Sequence, residues 1–363
     1  MQRLWLTATA CLLAACGRDV TAPVIAARQV AGHGSGLTVM SRNVYIGGNV
    51  DPIIAATDPN QVPLLVAAAF QEMLSTNYPL RAGLLADEIA RTRPHLVGLQ
   101  EVSLIRIQSP GDLVIGGTTP ATTVFLDFLP ILLGELRARG LDYRVVAQVA
   151  NTDVEVPMVT SATPTFDDVR LTDYDVLLAR GDVRTSHDAA RNYGQTLPVP
   201  GTPIVVRRGF VAVDATVNGA TYRVVNTHLE SAVEPVRFAQ AAELVGYLAG
   251  ETLPIIAVGD FNSDAETGGP TYQFLVGAGY GDAWLSRVGG ATQRLTCCHA
   301  SDLKNTAPTL TSRIDLVLTR NMRSGPVFAD VVGDDPRERA GGLWASDHAG
   351  VVARFPGLPG AGE

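Results

Sequence analysis

The stretch Pro254-Ile255-Ile256-Ala257-Val258-Gly259-Asp260-Phe261-Asn262 decides the fold. Its first five residues form an apolar run that is typical of a buried strand. Polar Asp260 and Asn262 follow directly, at a boundary where burial is costly unless polar groups satisfy one another. A buried strand that ends in a carboxylate and an amide predicts an α/β sheet with a polar site at the edge where its strands end.

Five further predicted strands border polar or ionisable residues in the same way. The residues concerned are Asn43, Glu101, His228, Asp315, and the adjacent pair Asp347 and His348. A single residue of this kind is usually a solvated turn residue. Because six strands each bring one or two such groups to a boundary, the set indicates one shared site at a sheet edge.

Outward from this stretch, apolar runs and helical periods alternate along the chain. The predicted helices cover residues 62–74, 80–91, 124–139, 236–248 and 272–276. The predicted strands cover residues 37–41, 96–100, 143–149, 176–179, 204–217, 222–226, 254–258, 314–318 and 351–355, with a hairpin turn at Asn218-Gly219. Three polar insertions, 108–123, 151–170 and 181–203, are predicted as long loops. The pattern indicates one α/β domain over residues 37–358.

Composition excludes several classes of protein. The 363 residues are 46% hydrophobic and 18% charged, which excludes a disordered chain, a coiled coil and a collagen-like chain. No apolar run reaches the roughly 20 residues of a membrane-spanning helix, so a polytopic membrane protein is excluded. The net charge of −8 excludes a basic nucleic-acid-binding surface on the scale of the whole chain.

The first residues are typical of an export signal. A positive start at Arg3 precedes an apolar stretch over residues 4–15, and Leu13-Ala14-Ala15-Cys16 resembles a bacterial lipobox. We interpret residues 1–15 as a lipoprotein signal peptide and residues 16–36 as a flexible tether. Lipidation at Cys16 predicts a partner, the lipid bilayer, and a place in the bacterial cell envelope, facing the periplasm or the exterior. The alternative is an ordinary secretory signal; no protein partner is indicated.

Two cysteines remain in the body of the chain, Cys297 and Cys298. Export makes a disulfide between them plausible, and we expect a strained bridge that stiffens a loop. A metal site of Cys297, Cys298 and His299 is disfavoured, since three adjacent residues do not easily converge on one ion.

The residue types at the strand ends match phosphodiester hydrolysis. This reaction needs a hard divalent ion, a positioned water, a base and donors for the developing charge. Glu101, Asp347 and Asn43 are the candidate oxygen ligands for Mg²⁺, with Mn²⁺ or Ca²⁺ as alternatives. The sequence has no Gly-x-Ser-x-Gly elbow, His-Glu-x-x-His motif or Gly-rich nucleotide loop that would favour other chemistry.

The other strand-end residues supply candidate catalytic groups. Asp260 or His348 could deprotonate the water, and His228 could donate to the phosphate or to the leaving oxygen. Asn262 could hold a phosphoryl oxygen. Asp315 could orient His348, as carboxylates orient imidazoles elsewhere.

Six motifs stand in the order of a known superfamily: Asn43, Leu99-Gln100-Glu101, Thr227-His228-Leu229, Gly259-Asp260-Phe261-Asn262, Arg313-Ile314-Asp315 and Ser346-Asp347-His348. The chain resembles the endonuclease/exonuclease/phosphatase superfamily. The resemblance implies a deoxyribonuclease I-like fold, a four-layered α/β sandwich of two packed mixed β-sheets flanked by helices. It also implies a divalent-metal phosphoesterase site at one end of the sandwich. It places Arg208 as a phosphate-contacting arginine, although the neighbouring Arg207 could face the site instead.

Two departures bear on the substrate. Abasic-site repair enzymes of the superfamily usually have an Asp where Tyr45 stands and an Asn where His228 stands. A pair of histidines resembles the nuclease, sphingomyelinase and phosphoinositide-phosphatase branches instead, which disfavours DNA repair.

The leading prediction is an extracellular nuclease, a Mg²⁺-dependent enzyme that hydrolyses phosphodiester bonds. The alternative is a sphingomyelinase, phospholipase C-type or phosphoinositide-phosphatase-like hydrolase. For that alternative, the apolar residues 154–159 could touch a bilayer, although a loop packed on the sheet is the favoured interpretation of them. A non-catalytic surface binding module is the third possibility.

Overall fold

Strands and helices alternate along the chain in the computed structural model, which describes residues 36–160, 165–200, 202, 204–288 and 294–357. The predicted signal peptide and the tether up to residue 35 lie outside the described residues. The strands are β1 Leu37–Asn43, β2 Leu96–Gln100, β3 Leu104–Gln108, β4 Thr123–Asp127, β5 Tyr143–Val159, β6 Phe166–Arg180, β7 Arg184–Asn192, β8 Leu197–Pro198, β9 Val205–Val206, β10 Gly209–Val217, β11 Ala220–His228, β12 Ile255–Asp260, β13 Gly281–Asp282, β14 Asp315–Arg320, β15 Phe328–Val332 and β16 Gly350–Phe355. The helices are α1 Asp51–Ile54, α2 Val62–Ser75, α3 Tyr78–Thr92, α4 Phe128–Ala138, α5 Glu234–Tyr247, α6 Pro270–Gly277 and α7 Ala283–Ser286.

Two mixed sheets carry the fold. The first has eight strands in the order β15-β16-β1-β2-β6-β3-β4, with β5 paired to β6. The second has six strands in the order β13-β14-β12-β11-β10-β7. Each sheet contains one parallel pair, β1 with β2 and β11 with β12. Parallel neighbours end at the same edge, so the residues that follow these four strands come together at one end of the molecule.

Three apolar layers separate the sheets and helices. Val39 and Leu177 of the first sheet pack against Val224 and Val258 of the second in a core between the two sheets. A second core lies between the first sheet and helices α3 and α4. A third lies between the second sheet and helices α5 and α6. Two sheets packed face to face with helices outside confirm the predicted four-layered sandwich.

Local sequence explains several of the elements. The side chain of Asn77 caps α3 by accepting from the backbone N–H of Leu80, and Arg93, with φ of 45°, ends the helix just before Pro94. Asn218 and Gly219 have φ of 50° and 82°, as a tight hairpin between β10 and β11 requires. The predicted turn at these two residues is therefore confirmed.

The helix predicted over residues 124–139 is wrong in its first part. Residues Thr123–Asp127 form β4, which pairs antiparallel with β3, and helix α4 begins only at Phe128. The apolar run of β4 fits the period of a helix as well as that of a strand. Its pairing with β3, a strand not predicted from the sequence, makes it a strand.

Two of the predicted loops are strands. Most of residues 151–170 extends β5 and β6 into a long antiparallel hairpin, and residues 184–192 of the third insertion form the edge strand β7. Both segments are polar because much of their surface faces solvent; β7 has no buried residue. An exposed strand has the composition of a loop, and for this reason the two segments were predicted as loops.

The described residues all belong to one compact unit, His33–Glu363. No helix among the described residues is both long and apolar enough to cross a membrane.

Candidate active site

Strand pairing brings the predicted site residues to one end of the sandwich. In the second sheet His228 lies opposite Asp260, and Asp260 lies opposite Asp315, so three strands present one polar row. Asn43, at the end of β1 in the first sheet, donates to Asp260 across the gap between the sheets. The structure therefore gathers groups that are far apart in sequence.

A cavity of about 480 Å³ opens over this row. Seven of the nine predicted site residues line it: Glu101, Arg208, His228, Asp260, Asn262, Asp347 and His348. Asn43 and Asp315 lie behind this lining and contact Asp260 and His348 respectively. All nine belong to one cluster; their catalytic roles stay predictions.

Asn43 bridges two carboxylates. Its amide nitrogen lies 3.0 Å from Glu101 Oε1 and 3.2 Å from Asp260 Oδ2, and its amide oxygen accepts from the backbone N–H of Tyr45. Glu101 is also held by the backbone N–H of Ile46, 2.9 Å from Oε2. In this orientation Asn43 organises the carboxylates, so its role as a metal ligand remains a prediction.

His348 is paired with a carboxylate. Its Nδ1 lies 2.8 Å from Asp315 Oδ2, and its Nε2 faces Asp260 Oδ2 at 3.8 Å. Burial lowers the pKa of His348, but Asp315, Asp347 and Asp260 together outweigh burial and raise that pKa well above its ordinary value. The Asp315 carboxylate therefore favours the protonated, hydrogen-bond-donating form of the imidazole. The pairing predicted between Asp315 and His348 is present.

His228 has the opposite environment. Its Nδ1 lies 2.9 Å from a guanidinium nitrogen of Arg208, which can only donate, so this ring nitrogen accepts. The remaining ring proton is then on Nε2, which faces Asp260 Oδ2 at 3.5 Å. Burial, the charge of Arg208 and the charge of His348 lower the pKa of His228 well below its ordinary value. His228 is a neutral donor aimed at the centre of the site.

Asp260 lies between the two imidazoles. Burial and the charge of Asp315 raise its pKa to about 7, although His348 and the hydrogen bonds to the carboxylate lower it. The backbone N–H of Asn262 donates to Asp260 Oδ1 at 2.9 Å, in a turn where Asn262 has φ of 50°. A carboxyl with a pKa near neutrality is suited to take and release a proton.

Glu101 and Asp347 fit a hard divalent cation. Both are carboxylates that line the cavity, the donor type that Mg²⁺, Mn²⁺ and Ca²⁺ prefer. Burial raises the pKa of Asp347 to about 6, and the negative charge of Glu101 adds to this rise while His348 opposes it. A bound cation would relieve that repulsion, so the residues present fit the ion.

Two further groups could supply ligand atoms. Asp260, Asp315 and His348 form one, and Cys297, Cys298 and His348 form the other. In the first, the 2.8 Å hydrogen bond already occupies His348 Nδ1 and Asp315 Oδ2. In the second, the structure pairs the two cysteines as the predicted disulfide, whose Cys298 Sγ lies 3.9 Å from His348 Nε2. His299, a member of the disfavoured cysteine metal site, stacks on Trp344 instead.

Asp173 completes the Arg208 side of the site and is not among the residues predicted from the sequence. Asp173 Oδ2 lies 3.8 Å from a guanidinium nitrogen of Arg208 and accepts from the amide of Asn151. Burial raises the pKa of Asp173 to about 6, and Arg208 opposes this. Arg207 is exposed, so the structure places Arg208, and not its neighbour, at the site. Polar and apolar residues alternate along β6 around Asp173, and this alternation is the sequence signal that could have placed Asp173 on a strand.

A second set of residues holds the site loops from behind. Fully buried Arg81 donates to the backbone oxygens of Val44 and Ala345, on the two loops that carry Tyr45 and Asp347. Ser346 Oγ donates to the backbone oxygen of Asn43 and accepts from the backbone N–H of His348. Arg81 had the sequence signal of a charge on the apolar face of a predicted helix.

Two polar residues predicted at strand ends lie beneath the site. The Gln100 amide donates to Asn226 Oδ1, and the Asn226 amide donates to backbone oxygens of Leu99 and Val176, which joins the two sheets. Gly259 instead allows β12 to lie close to β11 within the second sheet, because a Cβ there would lie 2.2 Å from the backbone oxygen of Thr227.

Solved structures of low sequence identity share this fold. An endonuclease/exonuclease/phosphatase family protein from Bacteroides thetaiotaomicron is 17% identical to this chain. Its TM-score is 0.54, and the match covers 89% of this chain and 98% of that protein. A mannosyl-6-phosphatase from the same organism is 16% identical, with a TM-score of 0.51 over 87% and 98%. A family protein from Bacteroides vulgatus is 15% identical, with a TM-score of 0.51 over 88% and 98%.

No curated protein matches the sequence itself. The model of one family does: residues 73–348, which include eight of the nine predicted site residues, match Endonuclease/Exonuclease/phosphatase family. Since the match covers most of the chain and the fold agrees, the chain belongs to the endonuclease/exonuclease/phosphatase family of phosphoester hydrolases.

Proposed function

We propose that the chain is a divalent-metal-dependent phosphodiesterase. The observation that carries the proposal is the position of Asp260, whose Oδ2 faces His228 Nε2 at 3.5 Å and His348 Nε2 at 3.8 Å. One potential base thus sits between two potential donors, as hydrolysis at phosphorus requires. The family generally uses a divalent metal ion; Mg²⁺ is our choice for this chain.

Glu101 and Asp347 would hold the metal ion, which supplies neutralisation of the charge on the phosphoryl oxygens when bound. Asn43 holds the side chains of Glu101 and Asp260 in position by donating to both carboxylates. Removing either metal ligand is therefore expected to raise the metal requirement before it affects the proton-transfer groups.

Asp260 accepts the proton of the attacking water. Its pKa of about 7 keeps a substantial fraction of the carboxylate ionised at neutral pH. As the water oxygen bonds to phosphorus and the ester oxygen leaves, His348, held protonated by Asp315, donates to a phosphoryl or leaving oxygen. The Nε2 proton of His228 and the amide of Asn262 stabilise the remaining oxygens.

The proposal is tested with purified protein on three substrates: plasmid DNA, RNA and bis(p-nitrophenyl) phosphate. Each is incubated with Mg²⁺, Mn²⁺ or Ca²⁺, and with chelator. We expect metal-dependent turnover of the simple diester. Absence of turnover on all three, together with binding of a nucleic acid or vesicle, would instead support the non-catalytic binding module. Cleavage of plasmid DNA or of RNA would support the nuclease prediction, and cleavage of neither would contradict it.

We also propose that the protein is exported and anchored to the cell envelope through lipidated Cys16. The lipobox-like sequence before Cys16 supports this proposal. Expression of the parent chain and of Cys16→Ser with radiolabelled palmitate tests it. Label and membrane association are expected in the parent only; equal release of both proteins in soluble form would indicate an ordinary secretory signal.

A further inference from the structure

One side of the active-site cavity is apolar. Beyond the catalytic row, the lining consists largely of aliphatic and aromatic side chains. We define the apolar wall by six of them: Ile54, Phe70, Val154, Val156, Leu171 and Val206. The wall is continuous with the metal and phosphate end, because the same cavity is lined by Glu101, His228 and Asp347.

The wall is built where two small apolar clusters meet. Helix α2 packs against the β5–β6 hairpin in one cluster, which contains Val66, Met158 and Val169. Val206 and Ile54 belong to the other, together with Val154. Val156 contacts both clusters and remains half-buried, so the junction leaves apolar surface facing the cavity. An enzyme for polar substrates alone has no need of this surface.

The charges of the lining do not fit a nucleic acid. Among the described residues that line the cavity, Arg208 supplies the one guanidinium, and no lysine lines it. Arg208 is already engaged by His228 and Asp173. Asp51 and Asp173, which also line the cavity, are acids. Polynucleotide binding rests on several cations that contact successive phosphates, and the described lining of this cavity offers one.

We infer that the apolar wall binds a hydrocarbon chain of the substrate, so that the substrate is an amphiphilic phosphodiester whose phosphate lies at the metal end. The inference rests on the proposed function and names its substrate class. A cavity of about 480 Å³ is of the size that encloses small ligands, and an apolar lining with a few convergent polar groups is the usual character of such sites. The chain enters along α2 and the β5–β6 hairpin.

The test is a series of p-nitrophenyl phosphodiesters whose second ester group is methyl, butyl or octyl, each used as a monomer in solution. Hydrolysis breaks the P–O bond to p-nitrophenolate, whose absorbance reports the rate. A fully buried methylene strengthens binding by about fourfold. We expect kcat/KM to rise by about 10²-fold from the methyl to the octyl ester, because part of the chain stays in water.

Two variants and a control locate the effect. Val156→Glu places a charge in the wall, and its octyl-to-methyl ratio of kcat/KM is expected to fall towards one. Val156→Thr, nearly isosteric, guards against a failure of the first variant to fold and should lower the ratio by a smaller factor. Leu64→Glu changes a residue of α2 that is 62% exposed and does not line the cavity, so it should keep the parent ratio.

The outcomes separate the two proposals. If no ester is hydrolysed with any metal, the proposed function fails. If all esters are hydrolysed at equal kcat/KM, or if DNA or RNA is cleaved with a higher kcat/KM than the octyl ester, the proposed function holds and the hydrocarbon inference is overturned. Presenting the octyl-chain ester in phosphatidylcholine vesicles then distinguishes a membrane lipid from a soluble amphiphile as the source of the chain.

Discussion

The His228 side and the His348 side of the site use the same residue type in opposite ways. His348 lies against the carboxylate of Asp315 at 2.8 Å, and its pKa is raised. His228 lies against the guanidinium of Arg208 at 2.9 Å, and its pKa is lowered. Both rings face the same oxygen of Asp260. The neighbours, not the histidines themselves, make one ring a cation and the other a neutral donor.

The largest expected effect removes the groups that move protons. His348→Ala and Asp260→Ala should each lower kcat by about 10²–10⁴-fold at saturating metal, since general acid–base catalysis commonly contributes that factor. Steady-state rates at saturating Mg²⁺ measure the loss. Both variants must keep the parent thermal transition without metal. Near-parent kcat in His348→Ala would contradict the roles assigned here.

Asp315→Asn sharpens the comparison on the His348 side. The amide cannot stabilise the imidazolium, so the fraction of protonated His348 falls while the ring stays in place. We expect a loss of about 10²-fold in kcat, between the parent and His348→Ala. A shift of the His348 ring resonances in NMR titration distinguishes this cause from a general loss of structure.

Glu101→Gln tests the metal end separately from both histidines. The concentration of Mg²⁺ needed for half activity should rise at least about tenfold, because even residues outside the ligand set commonly change metal affinity by that factor. At saturating Mg²⁺ the rate should recover much more than it does in Asp260→Ala. An unchanged Mg²⁺ requirement would exclude Glu101 as a ligand.

His228→Gln tests the neutral side. A glutamine amide can donate as the neutral imidazole does, so the expected loss is only about tenfold, the size of one neutral hydrogen bond. The same replacement at His348, where a cation is required, should cost far more. Equal losses at the two positions would show that the two rings do not differ in charge.

The smallest expected effect concerns His95. Its pKa is lowered, as that of His228 is, but it lies away from the site. Burial, aided by Arg180, lowers the pKa of His95 to about 4 from 6.5. The folded state therefore binds fewer protons than the unfolded chain, and this group's contribution to stability is lost as pH falls from 6.5 towards 4.

His95→Asn should flatten that dependence. Thermal unfolding of parent and variant between pH 7 and pH 4 gives the comparison, and the parent Tm should fall more steeply. Activity at neutral pH should change little, because the His95 ring accepts from the backbone N–H of Thr38 at 3.0 Å and does not line the cavity. Parallel Tm curves would contradict the lowered pKa.

The site residues at strand ends were predictable because the sequence pattern that marks them is local. Asp260, His228 and Asp347 each stand beside an apolar run, and the contrast is visible within about ten residues. The β5–β6 hairpin was not predictable in the same way, because its polar residues satisfy one another across strands, as Asp153 does with Arg170. Such pairing depends on register and not on local composition.

From its burial pattern alone, the sequence predicted an α/β sheet with a polar site where the strands end, because such patterns are properties of the chain. The four-layered sandwich and phosphoester hydrolysis followed from the family resemblance that the order of the motifs carries. Tertiary structure alone decided which imidazole lies against a guanidinium and which against a carboxylate, that Arg208 and not Arg207 faces the site, and that an apolar wall adjoins Glu101 and Asp347. Each of these depends on groups that lie many residues apart in the chain, and electrostatic and packing energies act through space.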